Sequence, residues 1–116
     1  MGARDYAQAG SLIAPEAEVR WPLSQELLTR DNWVTVNEAY PGVWTASVDE
    51  IVGHGNQIVS AVHVYQSGES DPGFYVTSFF TIQDSLIVRL IEYWSHIDLS
   101  APEVSARLNA ALTTRQ

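Results

Sequence analysis

Cysteine is absent from the 116 residues. Disulfides, thiolate zinc sites and cysteine nucleophiles are excluded together. Lysine is absent as well, and all 6 basic residues are arginine. Schiff-base chemistry and a phosphate-binding loop with its lysine are thereby excluded. Positive charge is scarce overall: 14 acidic side chains face 6 basic ones, for a formal net charge of -8. A nucleic acid or an anionic membrane surface requires a positive face, so neither is an expected partner. No apolar run approaches the roughly 18 residues of a transmembrane helix, and no signal-type stretch follows Met1 to Asp5. The expectation is a cytoplasmic protein. No two histidines have the i,i+4 spacing of a helical metal pair, and neither a metal nor a cofactor is expected.

Hydrophobic residues make up 46% and charged residues 17% of the chain, the balance of a globular protein. The length fits a single domain, residues 1–116, that buries roughly two thirds of its unfolded surface. Asp5 is placed to cap a short helix with Tyr6, Ala9, Leu12 and Ile13 on one face, ended by Pro15. Ala17, Val19 and Trp21 alternate with Glu18 and Arg20, which predicts a strand over Glu16 to Pro22. Leu23 to Arg30 reads as a loop. Asp31 to Tyr40 reads as a second helix, with Trp33, Val36, Asn37 and Tyr40 in one stripe. The period then changes to two. Trp44–Val52, Gln57–Tyr65, Phe74–Ile82 and Leu86–Ser95 read as four strands of an antiparallel meander. A third helix is predicted over about 100–114, with capping-box spacing at Ser100 and Glu103 and an apolar stripe of Val104, Leu108, Ala111 and Leu112. The class is α+β, with helices over one face of a curved antiparallel sheet.

Three stretches carry a resemblance: Ala14 to Pro22, Asn37 to Trp44, and Ile87 to Trp94, whose closing Glu92-Tyr93-Trp94 is the most specific. With this element order they resemble the nuclear-transport-factor-2-like (NTF2-like) superfamily, and within it the SnoaL-like proteins. The resemblance implies a cone-shaped, cystatin-like half-barrel with a pocket between sheet and helices, and a homodimer through the outer sheet face. It also marks departures. Relatives open with a long helix that lids the pocket, and here the chain starts near the point where that helix would end. The C-terminal helix, an open mouth or a partner would take its place. Two turn glycines common in relatives are replaced, by Thr29 and by Ser85; serine is uncommon at a left-handed position, so the second hairpin is expected to use another turn type. Carried over position by position, the steroid-isomerase base falls on Trp21 and its oxyanion-binding acid on Ser78, so that activity is not expected.

Parity puts Val88, Leu90, Glu92 and Trp94 on one face of the last strand, and the resemblance turns that face to the pocket. Glu92 among tryptophans would be desolvated and its pKa raised, as a general acid or base requires. The alternative is a carboxylate that satisfies a buried backbone or tryptophan N–H, or pairs with a rim arginine. His96 follows the strand and is the one candidate proton shuttle to Glu92. His54 falls in a turn. His63, Tyr65, Thr77, Phe79 and Tyr93 fall on the outer face, where an apolar patch favours self-association. The expected pocket lining is Trp21, Trp33, Asn37, Tyr40, Trp44, Phe74, Ser78, Leu90 and Trp94, which suits a small, flat, apolar, cyclic ligand. Two functions follow: a pocket protein of this kind or a dimeric interaction module on one side, and on the other a small-molecule isomerase, cyclase, dehydratase or hydrolase that uses Glu92. A single carboxylate without a clear partner fits the first better.

Overall fold

The computed structural model describes residues 6–66, 68, 72–97 and 111–112. The elements run α1 (Tyr6–Gly10), β1 (Ile13–Trp21), β2 (Glu26–Leu28), α2 (Arg30–Ala39), β3 (Thr45–His54), β4 (Gln57–Tyr65), β5 (Phe74–Gln83) and β6 (Leu86–His96). The predicted C-terminal helix lies outside the described residues, apart from Ala111 and Leu112, which are helical and exposed. No helix among the described residues is long and apolar enough to cross a membrane.

The strands form one curved, open sheet in the order β2-β1-β6-β5-β4-β3. The meander from β3 to β6 is antiparallel, as its turn-length gaps require. The sheet is mixed, however, because β1 lies parallel to β6. β1 also starts three residues earlier than its alternation indicates. Leu12 and Ile13 are not helical: α1 stops at Gly10, and Ile13 pairs with Ile87. The register then shifts before Glu18 pairs with Arg89, and Pro15, which has no N–H to give a ladder, sits within that irregular stretch.

β2 replaces part of the expected loop. Its three residues are too few to show a period, and it forms a hairpin with β1 through the turn at Pro22 to Gln25. Thr29 is the N-cap of α2: its backbone is extended, and its hydroxyl accepts from the Asn32 N–H at 3.1 Å. The β5–β6 hairpin closes through two residues, Asp84 at φ 53° and Ser85 at φ 68°. Two consecutive left-handed residues make a type I′ turn, the connection that matches strand twist. Serine therefore occupies the position that favours glycine, and the expected change of turn type does not occur.

The core sits where α2 covers β1, β2 and β6. Ile13, Ala14, Ala17, Val19, Leu28 and Leu90 are buried there, with Trp33, Phe80 and Val88 packed against them. Gly10 allows α1 to approach α2, since a Cβ there would fall against Val34. The opposite end of the sheet is uncovered by described residues, and every residue of β3 is exposed.

Candidate functional site

Register fixes which side chains face the helices. On β5 and β6, Phe74 pairs with His96, Val76 with Trp94, Ser78 with Glu92 and Phe80 with Leu90. Val19 of β1 lies beside Leu90. Two residues further along β1, Trp21 therefore reaches the level of Glu92 on the same face. α2 lays Trp33 over that position. The three elements converge on one carboxylate: Trp21 Nε1 and Trp33 Nε1 each donate to Glu92 Oε1 at 3.0 Å. Ser78 Oγ donates to Oε2 at 3.4 Å. Glu92 is only 7% exposed. Burial pushes its carboxyl above the ordinary value, and the bonds from Trp21, Trp33 and Ser78 pull in the opposite direction without cancelling it.

Beyond this carboxylate, toward the His96 end of the sheet, lies a cavity of about 280 Å3. Its described lining includes Tyr6, Trp21, Tyr40, Trp44, Phe74, Trp94 and His96, with Val36, Asn37, Gly42, Val64 and Ser95 between them. The rings touch in sequence: Trp44 and Phe74 at 5.1 Å between centroids, Phe74 and Trp94 at 5.3 Å, Trp94 and Trp21 at 6.2 Å. Successive planes are inclined by 43°, 66° and 78°, so the wall curves around the cavity. The segment after α2 closes one side. Trp44 Nε1 donates to the Pro41 carbonyl at 2.9 Å, and its ring packs on Tyr40. Gly42, at φ 101°, holds a backbone conformation that side chains rarely adopt and lies against the Gln66 side chain.

The expected lining is thus divided. Trp21, Asn37, Tyr40, Trp44, Phe74 and Trp94 line the cavity, as does His96. Trp33, Ser78 and Leu90 do not: the first two are turned to Glu92, and Leu90 is buried in the core. Glu92 is not part of the lining either. It sits at the N–H edge of Trp21, which takes part in both arrangements. Asn37 finds its partner within its own helix, where Nδ2 donates to the Trp33 carbonyl at 2.8 Å. Tyr6, Val36, Gly42, Val64 and Ser95 were not expected in the lining. Val36 was legible from its i, i+4 spacing to Tyr40, and Val64 from its pairing with Phe74. Trp94 Nε1 is buried without a hydrogen-bond partner.

The outer face carries the residues that parity assigned to it. Phe79 and Tyr93 are in edge contact at 6.0 Å, and His63 stacks on Tyr75 with its Nε2 at 2.7 Å from the Pro72 carbonyl oxygen.

No family model matches the chain, and no curated protein matches it in sequence. Solved structures do match it in three dimensions. A protein of Kribbella flavida DSM 17836, provisionally described as a ketosteroid isomerase, superimposes with a TM-score of 0.73 at 21% identity, over 88% of this chain and 74% of that one. An NTF2-like protein of unknown function from Burkholderia xenovorans LB400 gives 0.75 at 21% identity, over 91% and 81%. A protein with a ketosteroid isomerase-like fold from Catenulispora acidiphila DSM 44928, in complex with trimethylamine, gives 0.63 at 15% identity, over 81% and 77%. The chain has the NTF2-like fold that these proteins share.

Proposed function

We propose that the chain is a small-molecule-binding protein whose aromatic cavity receives a compact apolar, cyclic compound. The observation that carries this reading is the division of labour at Trp21. The Trp21 side chain lines the cavity, while its N–H is spent on Glu92. In this reading Glu92 fixes the wall of the pocket. The cavity is at the small end of ligand sites, which run roughly 300–1,000 Å3 for drug-sized molecules, and so suits a compound of one or two rings. The trimethylamine of the Catenulispora neighbour is a precedent for a small organic molecule on this fold. Titration with single-ring and fused-ring compounds, followed by tryptophan fluorescence and thermal shift, tests the reading. Binding should raise the melting temperature by mass action, and Trp44→Ala should weaken it. No binding by any such compound at millimolar concentration refutes it.

A second reading, proton transfer by Glu92 on a cyclic substrate, is favoured by the burial of the carboxyl, 7% exposed, which pushes its pKa up. It requires Trp21 to swing aside, because both carboxylate oxygens already accept protein donors. Turnover that is abolished by Glu92→Gln while binding survives would establish it.

We also propose that two copies pair through the outer sheet face in a cytoplasmic homodimer. Phe79 is 43% exposed and Tyr75 and Tyr93 are each 37% exposed on that face, and exposed aromatic side chains of this kind favour an interface.

A further inference from the structure

We propose that the ligand of this cavity is an organic cation, a ring compound carrying an N-methylated ammonium group, held on the aromatic wall and countered by Glu92 across the Trp21 indole. The inference rests on the reading of the cavity as a small-molecule site and specifies its charge.

Three observations carry it. The described lining contains no arginine, and the chain has no lysine, so the site has no fixed cation to meet a carboxylate or phosphate. Glu92 is buried, yet none of the ion pairs among the described residues includes it. Its three partners are neutral donors whose N–H and O–H groups point at an acceptor, an arrangement that suits the anion. A buried anion is normally paired, and a cation seated against Trp21 would supply the missing charge.

The wall itself is of the right kind. Trp21, Trp44, Phe74 and Trp94 offer indole and phenyl rings at steep mutual angles, and tryptophan is the strongest aromatic acceptor for a cation. The hydrogen bond from Trp21 Nε1 to a carboxylate pushes electron density into that indole and strengthens its face as an acceptor. Polar groups in the lining are few. A primary ammonium would leave its three N–H donors poorly satisfied, whereas a dimethylated or trimethylated one has one donor or none.

The test compares phenyltrimethylammonium with tert-butylbenzene, its neutral carbon isostere, by calorimetry and tryptophan quenching. The wild-type protein should bind the cation about tenfold more tightly. Glu92→Gln keeps the shape and removes the charge, so it should erase most of that preference, read as the ratio of the two affinities within the variant. Trp21→Phe, which keeps a ring and loses the N–H, should reduce the preference as well. If tert-butylbenzene binds as tightly as the cation, the cation inference is wrong and the apolar pocket stands. If neither probe binds, both fail. A preference that survives intact in Glu92→Gln overturns the role assigned to the carboxylate.

Discussion

Glu92→Gln should make the protein more stable at neutral pH, not less. Glutamine presents an amide oxygen where Oε1 stood, so the indoles of Trp21 and Trp33, each at 3.0 Å, keep an acceptor. Its amide nitrogen faces Ser78, whose hydroxyl can turn to accept. What disappears is a charge at a site that is 7% exposed. A hydrogen bond to a charged group contributes about 1 kcal/mol more than a neutral one, so three donors return roughly 2–3 kcal/mol to the anion. Burial outweighs them, because the carboxyl's pKa is raised in the fold. The uncharged form is therefore the better fit to the folded site, and a side chain that is neutral at every pH should make the folded chain more stable at pH 7. The variant's melting temperature at pH 7 should accordingly lie above that of the wild type. The gain must depend on pH. Below the ordinary value of 4.5 the carboxyl is protonated in both folded and unfolded chains, and the two proteins should melt alike. As pH rises from there, the unfolded chain releases its proton first. Wild-type stability then falls until the folded pKa is passed, while the variant lacks this slope. Calorimetric melts of both proteins from pH 3.5 to 8 read the difference directly. A variant that melts several degrees lower at pH 7, or a difference that is flat with pH, would refute the reasoning.

Ser85→Gly should raise stability by about 1 kcal/mol, because glycine relieves a left-handed residue at φ 68° in the β5–β6 turn; chemical denaturation midpoints measure it. Gly73→Ala should cost several kcal/mol. A Cβ on this residue at φ 80° would run into the Val64 carbonyl, so the variant is expected largely in inclusion bodies or with a much lower melting temperature. Leu90→Ala, which removes a fully buried side chain from the core, should cost about 2–5 kcal/mol in urea titrations. Phe79→Asp should convert a dimer to a monomer in light scattering without moving the far-UV spectrum. Wild-type protein that is already monomeric at tens of micromolar sinks the proposed outer-face interface.

The strands that could be read from sequence are those with one face toward the helices. Val19 and Trp21 alternate with Glu18 and Arg20, and Val76 and Ser78 alternate with Tyr75 and Thr77, because each pair divides between core and solvent. β2 was not legible: three residues hold no period, and its pairing with β1 depends on a turn with Gln25 at φ 57°, a conformation glutamine does not advertise. The start of β1 was misplaced for a related reason. Leu12 and Ile13 fit a helical stripe with Tyr6 and Ala9, but α1 ends at Gly10, and Ile13 takes its partner from Ile87, far along the chain.

The candidate site was legible as composition and only in part as geometry. Parity placed Glu92 on the same face as Trp94, and burial with a raised pKa follows from that face being covered. Parity says nothing of depth. Leu90, Glu92, Trp94 and His96 lie on one face, yet Leu90 ends in the core, Glu92 under two indoles, and Trp94 and His96 at the cavity. That gradient is set by where α2 stops. The helix ends at Ala39, and the cavity at the upper part of β6 is bounded by Val36 and Asn37 near that end together with Tyr40, Gly42 and Trp44 beyond it. Trp33 falls on the covered side of the boundary and Trp44 on the open side. Two tryptophans with the same prior expectation from sequence are thus divided between holding a carboxylate and lining the cavity. Trp21 stands on the boundary itself. A substitution there should disturb both the carboxylate and the cavity, whereas Trp33→Phe should disturb the carboxylate alone.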